Sequence, residues 1–132
     1  MIIGVGWEQI PLIKKAKERG LYVIATTWWD KKQIPADKIY ECDSRDLEYL
    51  DFIFREEQPH YVIADECDYS MYAVAWLTEK YGLSGPDLGV LTITNNKFLQ
   101  REYVKNVPVL QPKYKLCWDR KEAEAFVEEI GY

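Results

Sequence analysis

Apolar positions change rhythm along the chain between a short continuous run and a helical repeat. Residues 2–5 form an apolar run ending in Gly4-Val5-Gly6, and Ile10, Ile13 and Ala16 then recur at helical spacing before Gly20. The pattern predicts strand, turn, helix over 8–19, and stop. Residues 21–27 are β-branched and aromatic, which suits a second strand, and after a loop containing Pro35 residues 38–42 read as a third. Ser44 is the expected cap of the next helix, within 46–58, where Leu47, Leu50 and Phe54 share one face and Pro59 ends the segment. Residues 61–65 read as a fourth, buried strand and 70–81 as a helix. Gly82 and Gly85-Pro86 then break the chain. A helix over 95–105 stops before Val107-Pro108, and 113–118 reads as a last strand. Asp119 with Glu122 has the spacing of a capping box, and Ala123, Phe126, Val127 and Ile130 give the following helix one apolar face, expected to be buried.

Strands alternating with helices predict an α/β fold, a Rossmann-like three-layer parallel sheet with right-handed crossovers. Ligands of such sheets bind beyond the carboxyl ends of the strands. The only candidate boundary lies between Gly85-Pro86 and Thr94, which divides the chain into 1–93 and 94–132. Tyr132 reads as the first residue of a further strand, so the chain is expected to be the front part of a longer protein.

Composition narrows the function classes. The 132 residues are 48% hydrophobic and 30% charged, as in an ordinary folded domain, and the net charge of −5 gives no footprint for nucleic acid or anionic lipid. No leader pattern opens the chain and no apolar run approaches the roughly 20 residues that span a bilayer, so the expected location is cytoplasmic. Cys42, Cys67 and Cys117 contain no CxxC pair and read as free thiols. His60, the single histidine, reads as a surface residue rather than a zinc ligand or a triad member.

Three places could carry chemistry. Gly4-Val5-Gly6-Trp7-Glu8-Gln9 is a partial dinucleotide fingerprint with Gln9 at the third glycine position, and Asp30 follows the second strand. A Glu8 carboxylate about 4 Å from a phosphate charge costs about 4 kcal/mol at an effective dielectric near 20, while the helix dipole returns about 1 kcal/mol. The loop therefore suits a neutral or amine-bearing group better than a pyrophosphate, although a stand-alone nucleotide- or NAD-binding module stays open as the alternative. Asp65-Glu66-Cys67-Asp68 ends the fourth strand, and Glu41, Asp43 and Asp46 follow the third. These carboxylates could line one cleft, orienting an amine or holding a metal, or could simply cap helices, as Asp68 would near Ser70. Lys97 and Arg101, four apart at the start of a helix, place two cations on one face able to meet phosphate oxygens, or make a solvated basic face. A third class of function, an interaction domain, would use Trp28, Trp29 and Trp118 as exposed anchors.

The order of these pieces resembles the N-terminal, pre-ATP-grasp region of ATP-grasp ligases, especially the group of carbamoyl-phosphate synthase large chains, biotin carboxylases and purine-biosynthetic carboxylases. The resemblance runs through Ile3-Gly4-Val5-Gly6, residues 16–24, 36–40 and 81–86, and is sharpest at Asn96-Lys97 through Arg101-Glu102 followed by Val107-Pro108-Val109. It implies Lys97, and with it Arg101, as contacts to the phosphates of ATP. It implies Gly4, Gly6, Trp7, Glu8, Asp65 and Glu66 as part of the acceptor-substrate wall, with no catalytic residue in this chain. ATP and magnesium would serve the complete enzyme, whose second lysine, glycine-rich loop and metal-holding carboxylates belong to a missing C-terminal ATP-grasp domain. The piece alone is then expected to be inactive, with that domain, a small-molecule substrate and a second copy of the chain as its partners. Trp7-Glu8-Gln9 is heavier and more acidic than the family's small residues at this turn, and Trp28-Trp29 adds aromatic surface beside the cleft.

Overall fold

The computed structural model describes residues 1–131. The chain divides into two compact units, Met1–Thr92 and a second from Ile93 onward. In the first, parallel backbone pairing sets four segments side by side. β1 (Ile24–Thr27) and β2 (Lys38–Glu41) pair with Ile24 opposite Lys38 and Thr27 opposite Glu41. On the far side of β1, Ile2 N–H donates to Ile24 O at 2.8 Å and Thr26 N–H to Ile2 O at 2.9 Å. Beyond it, Ile3 N–H donates to Ile63 O at 2.9 Å and Ile63 N–H to Met1 O at 3.0 Å. The lateral order is therefore β2, β1, the segment at Ile2, the segment at Ile63, all parallel.

Among the described residues only β1 and β2 form a regular sheet, and the strands expected over 2–5 and 61–65 shrink to single bridges at Ile2 and Ile63. Gly4 at φ 71° turns the first segment out of the ladder, and Glu66 at φ 56° turns the fourth soon after its bridge. β1 starts at Ile24 rather than at 21 because Asp37 takes the Val23 groups first: its Oδ2 accepts from Val23 N–H at 2.8 Å, and its own N–H donates to Val23 O at 2.9 Å.

All four residues of β1 are buried, as a strand covered on both faces requires. Alternation sends its side chains to two cores. Ile24 and Ile3 join Leu50, Ile53 and Phe54 of α2 (Leu47–Glu57) and Ala73, Val74 and Leu77 of α3 (Asp68–Tyr81). Ala25, Ile2 and Val5 join Ile13 of α1 (Ile10–Glu18) with Val23 and Ile34.

Helix ends correct three expectations. α1 starts at Ile10, two residues after Glu8, with Pro11 in its first turn, where a missing N–H costs nothing. α2 is capped by Asp46, whose Oδ1 accepts from Tyr49 N–H at 3.0 Å, and not by Ser44, which stands too far upstream. α3 begins at Asp68, so that carboxylate is inside the helix, and the preceding Cys67 makes no side-chain cap bond. Asp51 of α2 ties the pair together, accepting from Tyr81 OH at 2.7 Å and meeting Lys80 Nζ at 2.6 Å, while the Phe54 and Tyr81 rings stack at 3.9 Å. After α3 the chain crosses Thr78 so closely at Gly85 that a Cβ there would lie 2.1 Å from Thr78 Oγ1. α4 (Leu88–Thr94) then fills the stretch expected to be a break, its first turn held by Asp87 Oδ1, which accepts from Val90 N–H at 2.8 Å.

In the second unit, α5 (Lys97–Tyr103) is shorter than the 95–105 expected because Asn96 caps it, Oδ1 accepting from Phe98 and Leu99 N–H at 3.0 and 3.1 Å. The strand expected at 113–118 does not form among the described residues. Its Tyr114 packs on α5 instead, with OH donating to Glu102 Oε1 at 2.8 Å and its ring edge-on to Phe98 at 6.1 Å. α6 (Arg120–Ile130) starts where Asp119 Oδ1 accepts from Glu122 N–H at 2.8 Å and Glu122 Oε2 accepts from Trp118 N–H at 2.9 Å. Within the chain Phe126 is half-buried, and Val127 and Ile130 are exposed. No helix among the described residues is long and apolar enough to cross a membrane.

Candidate functional site

Two adjacent threonines at the carboxyl end of β1 hold the loops around it. Thr26 Oγ1 accepts from Gly4 N–H at 3.2 Å, while Thr26 O accepts from Val5 N–H at 2.8 Å. Thr27 Oγ1 donates to Val5 O at 2.6 Å and accepts from Trp29 N–H at 2.9 Å, joining the glycine turn to the tryptophan loop. Gly4 also passes close to α3, since a Cβ on it would lie 1.9 Å from Ser70 Oγ. That hydroxyl is fully buried and has no hydrogen-bond partner among the described residues.

Gln9 closes the turn. Its buried side chain accepts from Gly6 N–H through Oε1 at 2.7 Å and donates through Nε2 to Asp65 O at 2.8 Å. The third position of the glycine fingerprint is thus a bracket between the first turn and the end of the fourth segment. A pyrophosphate bound in the dinucleotide manner needs a backbone close to it with free N–H groups. Here the N–H groups of Gly4, Val5 and Gly6 are all spent inside the protein. Asp30 is also engaged, accepting from Lys32 N–H at 3.0 Å in the 3-10 turn Lys31–Gln33 after β1.

The result is an open cleft of about 310 Å³ beyond the carboxyl ends of the strands. The structure brings together Gly4, Gly6, Trp7, Glu8 and Glu66 there, with Trp28, Trp29 and Cys67. Asp65 contributes its carbonyl to Gln9 and is not part of the lining. Trp7 and Trp28 are 68% and 77% exposed, whereas Trp29 is half-buried against the α1 core. The carboxylates after β2 do not converge on the cleft. Glu41 pairs with Lys31 at 2.9 Å, Asp43 with Arg45 at 2.6 Å, and Asp46 caps α2. The Arg45 guanidinium holds the Asp43 carboxyl down at about 2.

A second cavity, of about 320 Å³, opens at the amino ends of the strands among Met1, Tyr22, Glu57, His60 and Tyr61. Glu57 is already bound there by Lys38 and Tyr40, which hold its carboxyl below the usual range.

Lys97 and Arg101 belong to the second unit. Lys97 is exposed at the start of α5, and its ammonium makes no hydrogen bond or ion pair among the described residues. The Arg101 guanidinium lies over the Tyr114 ring at 5.6 Å. Among the described residues no group of three or more His, Cys, Asp or Glu is arranged to hold a metal ion. Sequence reasoning singled out Gln9 only as a departure from the glycine fingerprint, not as a brace, and missed Thr26 and Thr27; the available signal for these was two threonines closing an otherwise apolar strand.

No family model and no curated relative matches the sequence. Solved structures do. Phosphoribosylglycinamide synthetase from Anaerococcus prevotii superimposes with a TM-score of 0.76 at 22% identity, over 97% of this chain and 33% of that one. N5-carboxyaminoimidazole ribonucleotide synthetase from Thermotoga maritima gives 0.74 at 25% identity, over 99% and 36%. L-amino acid ligase from Bacillus licheniformis gives 0.73 at 17% identity, over 98% and 41%. The chain therefore spans between a third and two fifths of each of these proteins and, over nearly its whole length, shares the fold found in that part of two synthetases and a ligase.

Proposed function

We propose that the chain is the N-terminal portion of an ATP-grasp ligase, a Rossmann-like three-layer domain over 1–93 followed by the opening of the catalytic domain. The observation that carries this reading is a shared fold over 97–99% of the chain with proteins that are all named ligase or synthetase. The order of the motifs from Gly4 to Pro108 supports it independently. Two of these proteins are synthetases by name and one an amino-acid ligase, so the proposal rests on the ligase chemistry they have in common rather than on carbamoyl-phosphate synthases or biotin carboxylases in particular.

When bound, ATP supplies the phosphoryl group that activates a carboxylate for attack by an amine or similar nucleophile. The cleft of Gly4, Gly6, Trp7, Glu8 and Glu66 forms part of the acceptor wall, its shape fixed by Gln9, Thr26 and Thr27. Lys97 fits a phosphate contact because its ammonium is exposed and unengaged among the described residues. Arg101, stacked on Tyr114, is held ready beside the same helix. Magnesium would be held by the carboxylates that the family resemblance assigns to the C-terminal domain. No metal step is assigned to this chain, and by itself it does not turn over. A cytoplasmic setting, and a second copy or the C-terminal domain covering the α6 face, complete the proposal.

The test is Lys97→Ala in the full-length natural chain. The apparent KM for ATP should rise about tenfold, the equivalent of one lost charged contact, with little change for the acceptor. An unchanged dependence on ATP would remove Lys97 from the phosphates.

A further inference from the structure

We infer that the cleft at the carboxyl ends of the strands takes a primary ammonium group carried on a flat apolar body, and turns phosphate esters away. The inference rests on the ligase reading only in calling that ligand the acceptor; its charge and shape follow from the cleft. Three features of the cleft agree.

The first is charge. Glu8 and Glu66 are exposed in the lining, which contains no lysine, arginine or histidine. The second is the state of the backbone donors. A turn of this kind would ordinarily cradle an anion on its N–H groups, but Thr26 takes those of Gly4 and Val5 and Gln9 takes that of Gly6. An anion entering here meets two carboxylates and no free donor from these three residues. An ammonium meets two acceptors. The third feature is the aromatic wall. Trp7 and Trp28 leave most of their ring surface in solvent, where burial is normally favoured, and tryptophan is the best of the aromatic faces for a cation. Among the described residues Glu66 is one of two non-glycine residues at positive φ, held there at the rim of the cleft.

The test uses the 132-residue chain, the nitrogen-proton correlation spectrum of its five tryptophan indoles, and three probes. Phenethylamine carries the ammonium, phenylacetate a similar body with the charge reversed, and ribose 5-phosphate the phosphate ester. Phenethylamine should shift the Trp7, Trp28 and Trp29 indole signals saturably and leave that of Trp76 in place. The double variant Glu8→Gln/Glu66→Gln should weaken this about tenfold, with each single variant read separately where the double does not fold. Equal or tighter binding of phenylacetate or ribose 5-phosphate, or no saturable shift with any probe, overturns the inference. The two proposals fail separately: loss of ammonium selectivity leaves the Lys97→Ala effect on ATP untouched, and an absent Lys97 effect leaves the cleft's preference standing.

Discussion

Gly4 is where one residue type is forced by two independent constraints. Its φ of 71° is costly for any residue with a side chain, and a Cβ would run into Ser70 Oγ at 1.9 Å. Gly4→Ala should therefore destabilise the protein by about 2–4 kcal/mol, read as a drop in the urea midpoint, and an unchanged midpoint would mean the turn is not built as described. Ser70→Ala removes a buried hydroxyl that has no partner among the described residues, so it should be neutral or stabilising by up to about 1 kcal/mol; a clear loss of stability would contradict that. Cys42 is a third residue-scale case. Burial first, then Asp46 and Asp43, push its thiol up to about 11. At pH 8 it should resist a thiol reagent until the protein unfolds, while the partly exposed Cys67 and Cys117 react in the native state. Three thiols reacting together would show that Cys42 is not enclosed.

At the scale of elements, α2 and α3 are joined through Asp51. Lys80 first, then Tyr81, hold its carboxyl below the usual carboxylate range. A carboxyl depressed by folding contributes stability above its unfolded pKa and loses it as pH falls through the folded value. The protein should thus lose stability below about pH 4, and Asp51→Asn should flatten that slope while costing about 1–3 kcal/mol at neutral pH. An unchanged slope would place the linkage elsewhere. Every helix but α4 was legible in the sequence because periodicity and end signals agree, as in the apolar face of α2 and the Asp119–Glu122 pair that starts α6, whereas α4 fills a stretch marked by Gly85-Pro86 as a break. Strand lengths were less legible. Leu21 and Tyr22 have strand composition, but whether they pair depends on Asp37, fifteen or more residues away, occupying Val23. At 113–118 the pattern is also strand-like, yet within its unit Tyr114 finds better partners on α5.

For the whole molecule, the glycine turn and Glu66 could be nominated from sequence because alternating strands and helices dictate where the strand ends lie. Trp7 belongs to that turn, and Trp28-Trp29 were expected beside the cleft through the family resemblance; what could not be nominated is how the convergence is held, since that depends on Thr26, Thr27 and Gln9 tying three separated loops together. For the same reason the fingerprint overstated a dinucleotide: the spacing of glycines is visible, but the fate of their N–H groups is set by residues outside the motif. That this chain is the acceptor-side portion of an ATP-dependent ligase is tested by reading the source gene past the codon for Tyr132. If the proposal holds, the frame continues into a glycine-rich loop between lysine-bearing strands, with paired carboxylates further on. A stop codon directly after Tyr132 would contradict it.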